Sequence, residues 1–297
     1  MEIMVADAFA ARPFCGNPAG VVLLMDEPFP QEMWMKALAG ELRYSETAFV
    51  RRIGPNAFHI RYFTPAEEVD LCGHATIASF AVLRDLERIA VGAYELHTRA
   101  GRQNVQVERE YIWMDMAPPV DGRTFSAEEQ RELYEAYGLT EADHPSGLEP
   151  QIVSTGLSDI LLPVRDLETL TRAVQREETV VALSRRYGVI GIHMFCLGQP
   201  DATAHCRNFA PLYAIPEEAA TGTSNGALTY YLYRRGRIVP GLENRFIQGE
   251  SMGRVSEVLS RLTAETEQGV LVQVGGSAVS VFGGQWRGGP GPVSMAN

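Results

Sequence analysis

The stretch Asp70-Leu-Cys-Gly-His-Ala-Thr-Ile-Ala78 decides the fold, because in it a polar loop runs through a glycine into an apolar helix. Small residues fill the first turn, and aliphatic residues follow at helical spacing as far as Leu86. Gly73 at the head of the helix can place backbone N–H groups beside a bound anion, with the helix dipole in support. The stretch therefore predicts a buried helix whose start belongs to a ligand site.

The chain repeats this pattern in Ala220-Thr-Gly-Thr-Ser-Asn-Gly-Ala-Leu228. The glycines that head the two helices are separated by 222 − 73 = 149 residues. Upstream, Arg61-Tyr-Phe-Thr-Pro65 matches Arg207-Asn-Phe-Ala-Pro211 at an offset of 207 − 61 = 146, and stretches beginning at Gly16 and Gly156 match at 156 − 16 = 140. Offsets that rise in chain order predict a duplication of one unit. The alternative is chance similarity between short glycine- and proline-rich stretches.

The predicted domain boundary is Pro118-Pro119. We predict an N-terminal repeat domain over 1–118 and a C-terminal repeat domain over 119–287, whose last strand can return to the first domain. The tail 288–297, with three glycines and two prolines in its first five residues, is predicted to be disordered.

Local signals predict several further elements. A helix is expected after Pro30, a hairpin around Ala100-Gly101, and a surface helix capped by Ser126. A longer helix over 167–187 is predicted to be interrupted around Glu177-Glu178.

Composition excludes several classes of protein. The formal net charge of −11 argues against binding to nucleic acid or to an anionic membrane. No apolar run approaches the ~18 residues of a membrane-spanning helix. The four cysteines lack metal-ligand spacing, and Met1 leads directly into a strand-like run, so we expect reduced thiols and a cytoplasmic protein.

Glu46 is the first candidate for a catalytic residue. It stands directly before the apolar run of a predicted strand, and at an offset of 146 it falls on Ile192, so only one copy carries the carboxylate. A partly buried glutamate is suited to moving protons near neutral pH. The alternative is a solvent-facing glutamate at a strand edge. Ser45, next to it, is a candidate substrate-binding residue.

His74 is the second candidate, because it follows Gly73 at the helix start, where a neutral imidazole can donate a hydrogen bond or carry a proton. The alternative is a capping or core histidine. Cys72 and His74 also suggest a nucleophile and its base, but residues two apart near a helix start rarely face each other. Zinc is disfavoured, because the other histidines share no spacing with the cysteines.

The second helix start offers a corresponding set of polar residues. Glu217 and Glu218 precede Gly222 and are candidates for a second acid–base group, with a solvated loop pair as the alternative. Thr223, the counterpart of His74, offers a hydroxyl to a ligand. The repeat predicts that both helix starts face one cleft between the domains and bind one small acid. Because no GxxxxGK[ST] loop is present and no GxGxxG stands between a strand and a helix, we predict no cofactor and no metal.

Four motifs of the sequence occur in the order and spacing of one known family. They are Gly16-Asn-Pro-Ala-Gly20, Ser45-Glu-Thr-Ala-Phe-Val50, Asp70-Leu-Cys-Gly-His-Ala-Thr76 and Ala220-Thr-Gly-Thr223. As a set they resemble the PhzF-like family of phenazine biosynthesis, over nearly the whole chain. The resemblance implies an α+β fold of two pseudo-twofold-related domains, each a mainly antiparallel, barrel-like sheet wrapped around a central helix. This fold is shared with diaminopimelate epimerase.

The resemblance also implies an activity. The best-understood member of the family isomerises trans-2,3-dihydro-3-hydroxyanthranilate without metal or cofactor, by shifting a double bond. Its catalytic glutamate is matched here by Glu46 and its supporting histidine by His74, and the glycines at its helix starts match Gly73 and Gly222. The expected substrate is accordingly a small carboxylate-bearing metabolite, and the expected assembly is a homodimer.

This sequence departs from the family before the second glycine. The common pattern acidic-Asp-Pro-x-Thr-Gly-Ser is replaced by Glu217-Glu-Ala-Ala-Thr-Gly-Thr223, so that Glu218 is one methylene longer than the usual aspartate. The acid function can survive with a different reach, which leaves the substrate open. One alternative is an epimerase or racemase that uses Cys72, although the matching Thr221 is too weak an acid to serve as the second base. Another is a catalytically silent protein that binds a small molecule.

Overall fold

The computed structural model describes residues 1–198, 201–266 and 269–288 and divides the chain into two compact units. The first unit is Met1–Met114 together with the chain from Gly275 onward, and the second unit is Asp115–Val274. The division after Met114 lies 118 − 114 = 4 residues before the predicted boundary. The predicted disordered tail lies outside the described residues from position 289 onward.

As far as its residues are described, the first unit combines two α-helices with a sheet of mostly antiparallel strands. The helices are α1 (Glu32–Leu42) and α2 (Gly73–Asp85). The strands are β1 (Glu2–Ala8), β2 (Asn17–Met25), β3 (Thr47–Gly54), β4 (Ala57–Phe63), β5 (Glu68–Val69), β6 (Gly92–Thr98), β7 (Gly101–Val107), β8 (Ile112–Asp115) and the last strand of the described residues, Ala278–Gln285. That last strand pairs antiparallel with β1, so the end of the described chain belongs to the first unit.

In its described residues, the second unit contains four α-helices and its own strands. The helices are α3 (Ala127–Glu135), α4 (Leu167–Arg172), α5 (Glu177–Tyr187) and α6 (Gly222–Arg234). The strands are β9 (Val120–Thr124), β10 (Gln151–Ser154), β11 (Ser158–Pro163), β12 (Gly191–Leu197), β13 (Ala204–Ala210), β14 (Ile215–Glu218), β15 (Glu243–Gln248), β16 (Ser256–Thr266) and β17 (Gly269–Gly276). The strand Ala278–Gln285 is β18. The predicted α+β class is confirmed.

Each unit buries one helix against its strands. In α2 every residue from His74 to Leu83 is buried, and in α6 every residue from Gly222 to Leu232 is buried. A helix that is covered on all sides has no solvent face to keep polar, which explains why neither sequence shows a strong amphipathic stripe. The glycine-headed helices are therefore the cores of their units, as the opening stretch predicts.

The strand order of the first unit is repeated in the second. β1 pairs antiparallel with β2, β2 parallel with β3, and β3 antiparallel with β4. The strands β10 to β13 repeat this series of pairings in the same order. A contact is repeated too: Arg61 makes a two-pronged hydrogen bond to Glu68, and Arg207 makes the same bond to Glu217. Each guanidinium also lies over the ring of the phenylalanine two residues later.

The strand register shows which residue of the second unit is equivalent to Glu46. The residue opposite the first of these arginines is Phe49, and the residue opposite the second is Met194. Since the arginines are equivalent, the offset in this strand is 194 − 49 = 145. Glu46 therefore corresponds to Gly191, and the prediction of Ile192 is wrong by one residue. The offset of 146 comes from Arg61 and Arg207, and it does not hold in the neighbouring strand, where pairing fixes the register. Since Gly191 has no side-chain carboxylate, only the first unit carries one at this position.

Other local predictions can be compared directly. Ser126 caps α3 and forms a capping box with Glu129, as its sequence predicts. The predicted long helix is two helices, α4 and α5, with the break between Arg172 and Glu177. α1 begins at Glu32 rather than at Pro30. In the described part of the chain, no helix combines the length and the hydropathy needed to span a membrane.

Candidate functional site

Three predicted site residues lie together in the first unit. Glu46 directly precedes β3, and His74 is in the first turn of α2. Oε2 of Glu46 lies 3.3 Å from Nε2 of His74, and both residues are buried. Oγ of Ser45 lies 3.4 Å from the same nitrogen. The strand and the helix thus bring a carboxylate, an imidazole and a hydroxyl to one point.

The environment of His74 sets its charge. Burial lowers the pKa of His74, since the charged imidazolium is poorly solvated there, and the negative charge of Glu46 opposes this in part. The imidazole is accordingly neutral at neutral pH. A neutral ring has one nitrogen that donates and one that accepts, so it can support proton transfer at Glu46.

Cys72 also contacts His74, which corrects the expectation that the two side chains point apart. Sγ of Cys72 lies 3.4 Å from Nδ1 and 3.9 Å from Nε2 of His74. Cys72 is the N-cap residue of α2 and has an extended backbone, with φ −142° and ψ 114°. Because the helical rotation per residue begins only after the cap, a residue at this position can face the second helical residue. Spacing rules for helix interiors do not apply there.

The first unit therefore offers three potential metal ligands of different kinds. One donor atom from each of Glu46, Cys72 and His74 can be chosen so that all three lie within 4.8 Å of one another. Thiolate, imidazole and carboxylate are the donors that zinc accepts.

The second unit positions the other predicted residues. Thr221 Oγ1 donates a hydrogen bond to Oε2 of Glu218, and Nε2 of Gln248 donates to Oγ1 of Thr221 and to the carbonyl oxygen of Glu218. Thr221 thus links the Glu218 carboxylate to the side-chain amide of Gln248. Gly222 begins α6, as predicted, and Thr223 is buried behind it.

The two acidic neighbours of this loop have different roles. Glu217 is held by the two-pronged bond from Arg207 and accepts a further hydrogen bond from Ser251. Glu218 is instead held within the loop by the hydrogen bond that its carboxylate accepts from the Thr221 hydroxyl. The structure therefore favours Glu218 over Glu217 as the candidate acid–base group.

A buried polar extension of this site was not predicted from the sequence. Oε1 of Gln248 accepts hydrogen bonds from Asn225 Nδ2 at 2.8 Å and from the Thr221 backbone N–H at 3.3 Å. Nδ1 of His193 lies 3.1 Å from Oδ1 of Asn208. Burial lowers the pKa of His193 to about 4. Hydrogen bonds to the side-chain amides of Asn208 and Asn225 raise the pKa but do not outweigh the burial. The only signal in the sequence was a histidine inside an otherwise apolar strand.

Gln248→Met is expected to destabilise the protein by roughly 2–3 kcal/mol, because it removes the four recorded hydrogen bonds of a fully buried side-chain amide. Urea denaturation of the variant and the wild type measures the loss. Gln273→Met is the matched control, since Gln273 donates only one side-chain bond that the structure records, to Asp115. Equal losses in the two variants would contradict the role assigned to Gln248.

Asp159 is a buried carboxyl group beside the start of α6. It accepts hydrogen bonds from Ser224 Oγ and from the backbone N–H of Gly191, the counterpart of Glu46. Burial raises the pKa of Asp159 to about 6, although both hydrogen bonds lower it. The folded protein therefore binds this proton more tightly than the unfolded chain does.

The pH dependence of stability is expected to report this group. Because the folded pKa lies above the ordinary value, Asp159 lowers the free energy of unfolding as pH rises from about 4 through 6. Asp159→Asn removes that loss, so the variant gains roughly 2–3 kcal/mol relative to the wild type across the window. Urea denaturation of both proteins at pH 4 and pH 7 measures the difference. A constant difference would show that Asp159 does not titrate in this range.

Known proteins resemble this chain over almost its whole length. A family model described as "Phenazine biosynthesis-like protein" matches residues 6–284. An uncharacterized isomerase of Deinococcus radiodurans is 35% identical over 291 residues, which cover 95% of this chain and 93% of that protein. An uncharacterized isomerase of Bacillus subtilis is 32% identical over 292 residues, which cover 94% of this chain and 96% of that protein.

Solved structures show the same relationship. A Bacillus anthracis phenazine biosynthesis protein of the PhzF family matches with a TM-score of 0.86 and 27% identity, covering 95% of this chain and 97% of that one. A hydroxyproline epimerase of Agrobacterium vitis matches with a TM-score of 0.62 and 14% identity, covering 96% of this chain and 90% of that one. The likeness to the epimerase is one of fold alone.

Proposed function

The chain belongs to the phenazine biosynthesis-like family, and on this premise we propose that it is a cofactor-independent isomerase of a small carboxylate-bearing metabolite, in which Glu46 moves the proton. The observation that carries the proposal is the buried contact between Oε2 of Glu46 and Nε2 of His74 at 3.3 Å. The similar proteins from Deinococcus radiodurans and Bacillus subtilis are named as isomerases. A double-bond shift needs a group that takes a proton from one carbon and returns it to another, and one carboxylate can do both.

The proposed step needs no other reactant. The Glu46 carboxylate accepts a proton from a substrate carbon, and the electron pair of that C–H bond forms the new double bond. The pair of the old double bond then takes the proton back from Glu46 at its far carbon. Neither protons nor electrons are gained, and Glu46 ends as it began. Neutral His74 can direct an N–H at the carboxylate and stabilise its charge between turnovers.

The class of substrate is inferred from the N-terminus of α2 and from Glu218, which precedes α6. We propose that the carboxylate of the substrate binds at the first turn of α2, where backbone N–H groups and the helix dipole favour an anion. Glu218 is the second candidate proton-carrying group. Because it is turned back onto Thr221, the substrate is expected to differ from trans-2,3-dihydro-3-hydroxyanthranilate in the part that Glu218 recognises.

One observation favours a second candidate function, an epimerase or racemase. Cys72 contacts His74 at 3.4 Å and could act as a thiol base. The matching residue is Thr221, whose hydroxyl donates a hydrogen bond to Glu218, so this position offers no thiol for a two-cysteine mechanism. An epimerase would invert a stereocentre and leave every double bond in place, and polarimetry would detect this.

A two-stage screen tests the proposed isomerase. Small carboxylic acids are first tested for an increase in melting temperature, because a ligand that binds only the folded state stabilises it. Those that bind are then incubated with the protein in D₂O, and deuterium incorporation at carbon is measured by NMR. Carbon-bound deuterium together with a shifted double bond is the expected result. Binding without deuterium uptake for every acid that stabilises the protein would support a binding protein instead.

A further inference from the structure

The three side chains that meet in the first unit have a second chemical capacity besides proton transfer. Glu46, Cys72 and His74 supply a carboxylate, a thiol and an imidazole, and all three residues are buried. The proposed isomerisation uses the carboxylate and the imidazole and gives the thiol no part.

The distances between these donors are near those around a tetrahedral ion. Bonds of about 2.0 Å to nitrogen and oxygen and about 2.3 Å to sulfur place neighbouring ligands about 3.3–3.6 Å apart. Nε2 of His74 lies 3.3 Å from Oε2 of Glu46 and 3.9 Å from Sγ of Cys72. One donor atom of Cys72 also lies within 4.8 Å of a donor atom of each of the other two residues, so the three donors are close enough to approach one ion.

Glu46 adds an independent observation. Its Oε2 atom is inaccessible to solvent and has no hydrogen-bond partner among the residues that the structure describes. Nε2 of His74 approaches this oxygen to 3.3 Å without forming an aligned hydrogen bond. A buried carboxylate oxygen in this state is costly unless a cation or a proton occupies the space beside it.

We propose that Glu46, Cys72 and His74 together bind Zn²⁺, and that the bound ion inhibits the enzyme. A borderline-soft divalent cation suits this mixture of donors, and three protein ligands leave a fourth position for water. On binding, the Cys72 thiol releases its proton to solvent and the thiolate forms the Zn–S bond. Inhibition rests on the proposed function, because a Glu46 carboxylate bound to zinc cannot accept a substrate proton.

Titration of the 297-residue chain with Co²⁺ and Zn²⁺ tests the site without any substrate. Co²⁺ bound to a thiolate shows a charge-transfer absorption in the near ultraviolet, and we expect one equivalent to produce it and one equivalent of Zn²⁺ to abolish it. Cys72→Ser is expected to remove the band and to weaken zinc binding at least about tenfold. Cys206→Ser is the matched control, since Cys206 is also buried but lies in the second unit. A band that survives in Cys72→Ser, or that never forms, would overturn the site.

A measurement on the wild type covers the case in which Cys72→Ser does not fold. Zn²⁺ is expected to protect Cys72 from alkylation by iodoacetamide, measured by peptide mass spectrometry, while Cys15 reacts at an unchanged rate. Equal labelling of Cys72 with and without Zn²⁺ would count against the site. If the protein binds zinc but its proton exchange does not require Glu46, the proposed function is contradicted and the zinc site is not. Failure of the zinc site and failure of the proposed function therefore give different results.

Discussion

Glu46→Gln is expected to lower the rate of solvent-proton exchange into the substrate by about 10²–10⁴-fold, the usual contribution of a positioned general acid or base. The amide keeps the size of the side chain but cannot accept and return a proton. Deuterium incorporation at substrate carbon, followed by NMR under saturating substrate, measures the effect. The melting temperature should change by only a few degrees, because the packing around the buried side chain is retained.

Glu67→Gln is the matched control for this prediction. Glu67 lies in the same unit, is exposed, and is outside the group formed by Ser45, Glu46 and His74. The Glu67→Gln variant should exchange substrate protons at the wild-type rate. If Glu46→Gln also kept the wild-type rate, another residue would have to be the base, and the Cys72 thiol that contacts His74 would be the next one to test.

Gly16→Ala is expected to destabilise the protein by roughly 3–5 kcal/mol. Gly16 has φ +68°, a left-handed conformation that costs a residue with a Cβ atom about 1–2 kcal/mol. A Cβ atom there would also lie under 3.0 Å from the carbonyl oxygen of Ala8 in β1, and backbone in a paired strand cannot easily move aside. Urea denaturation measures the loss, which should appear as a lower midpoint with an unchanged slope.

Gly138→Ala separates the two causes. Gly138 has the same φ of +68°, but among the described atoms nothing lies within 4 Å of a Cβ atom built on it. Its substitution should therefore cost only the conformational part, about 1–2 kcal/mol. Similar losses at the two positions would mean that the contact with Ala8 is relieved by a small shift of the chain.

The sequence by itself determined the two helices and the residues at their starts. Gly73 and Gly222 could be identified because a helix that must be buried on all sides needs small and apolar residues throughout, and this composition is visible locally. The same holds for the cap at Ser126, where every interaction lies within one turn. The motifs around Glu46 and His74 predicted the family, and the whole-chain comparison confirmed it.

Tertiary structure decided the contacts that join distant parts of the chain. Gln248 reaches Glu218 and Asn225 from a strand more than twenty residues away, and its sequence neighbours give no sign of this. The counterpart of Glu46 changed to Gly191 because strand register is fixed by pairing and side-chain packing, not by counting residues from a motif. The contact of Cys72 with His74 likewise depends on the backbone at the helix cap, so the thiol joined the site only when the fold was known.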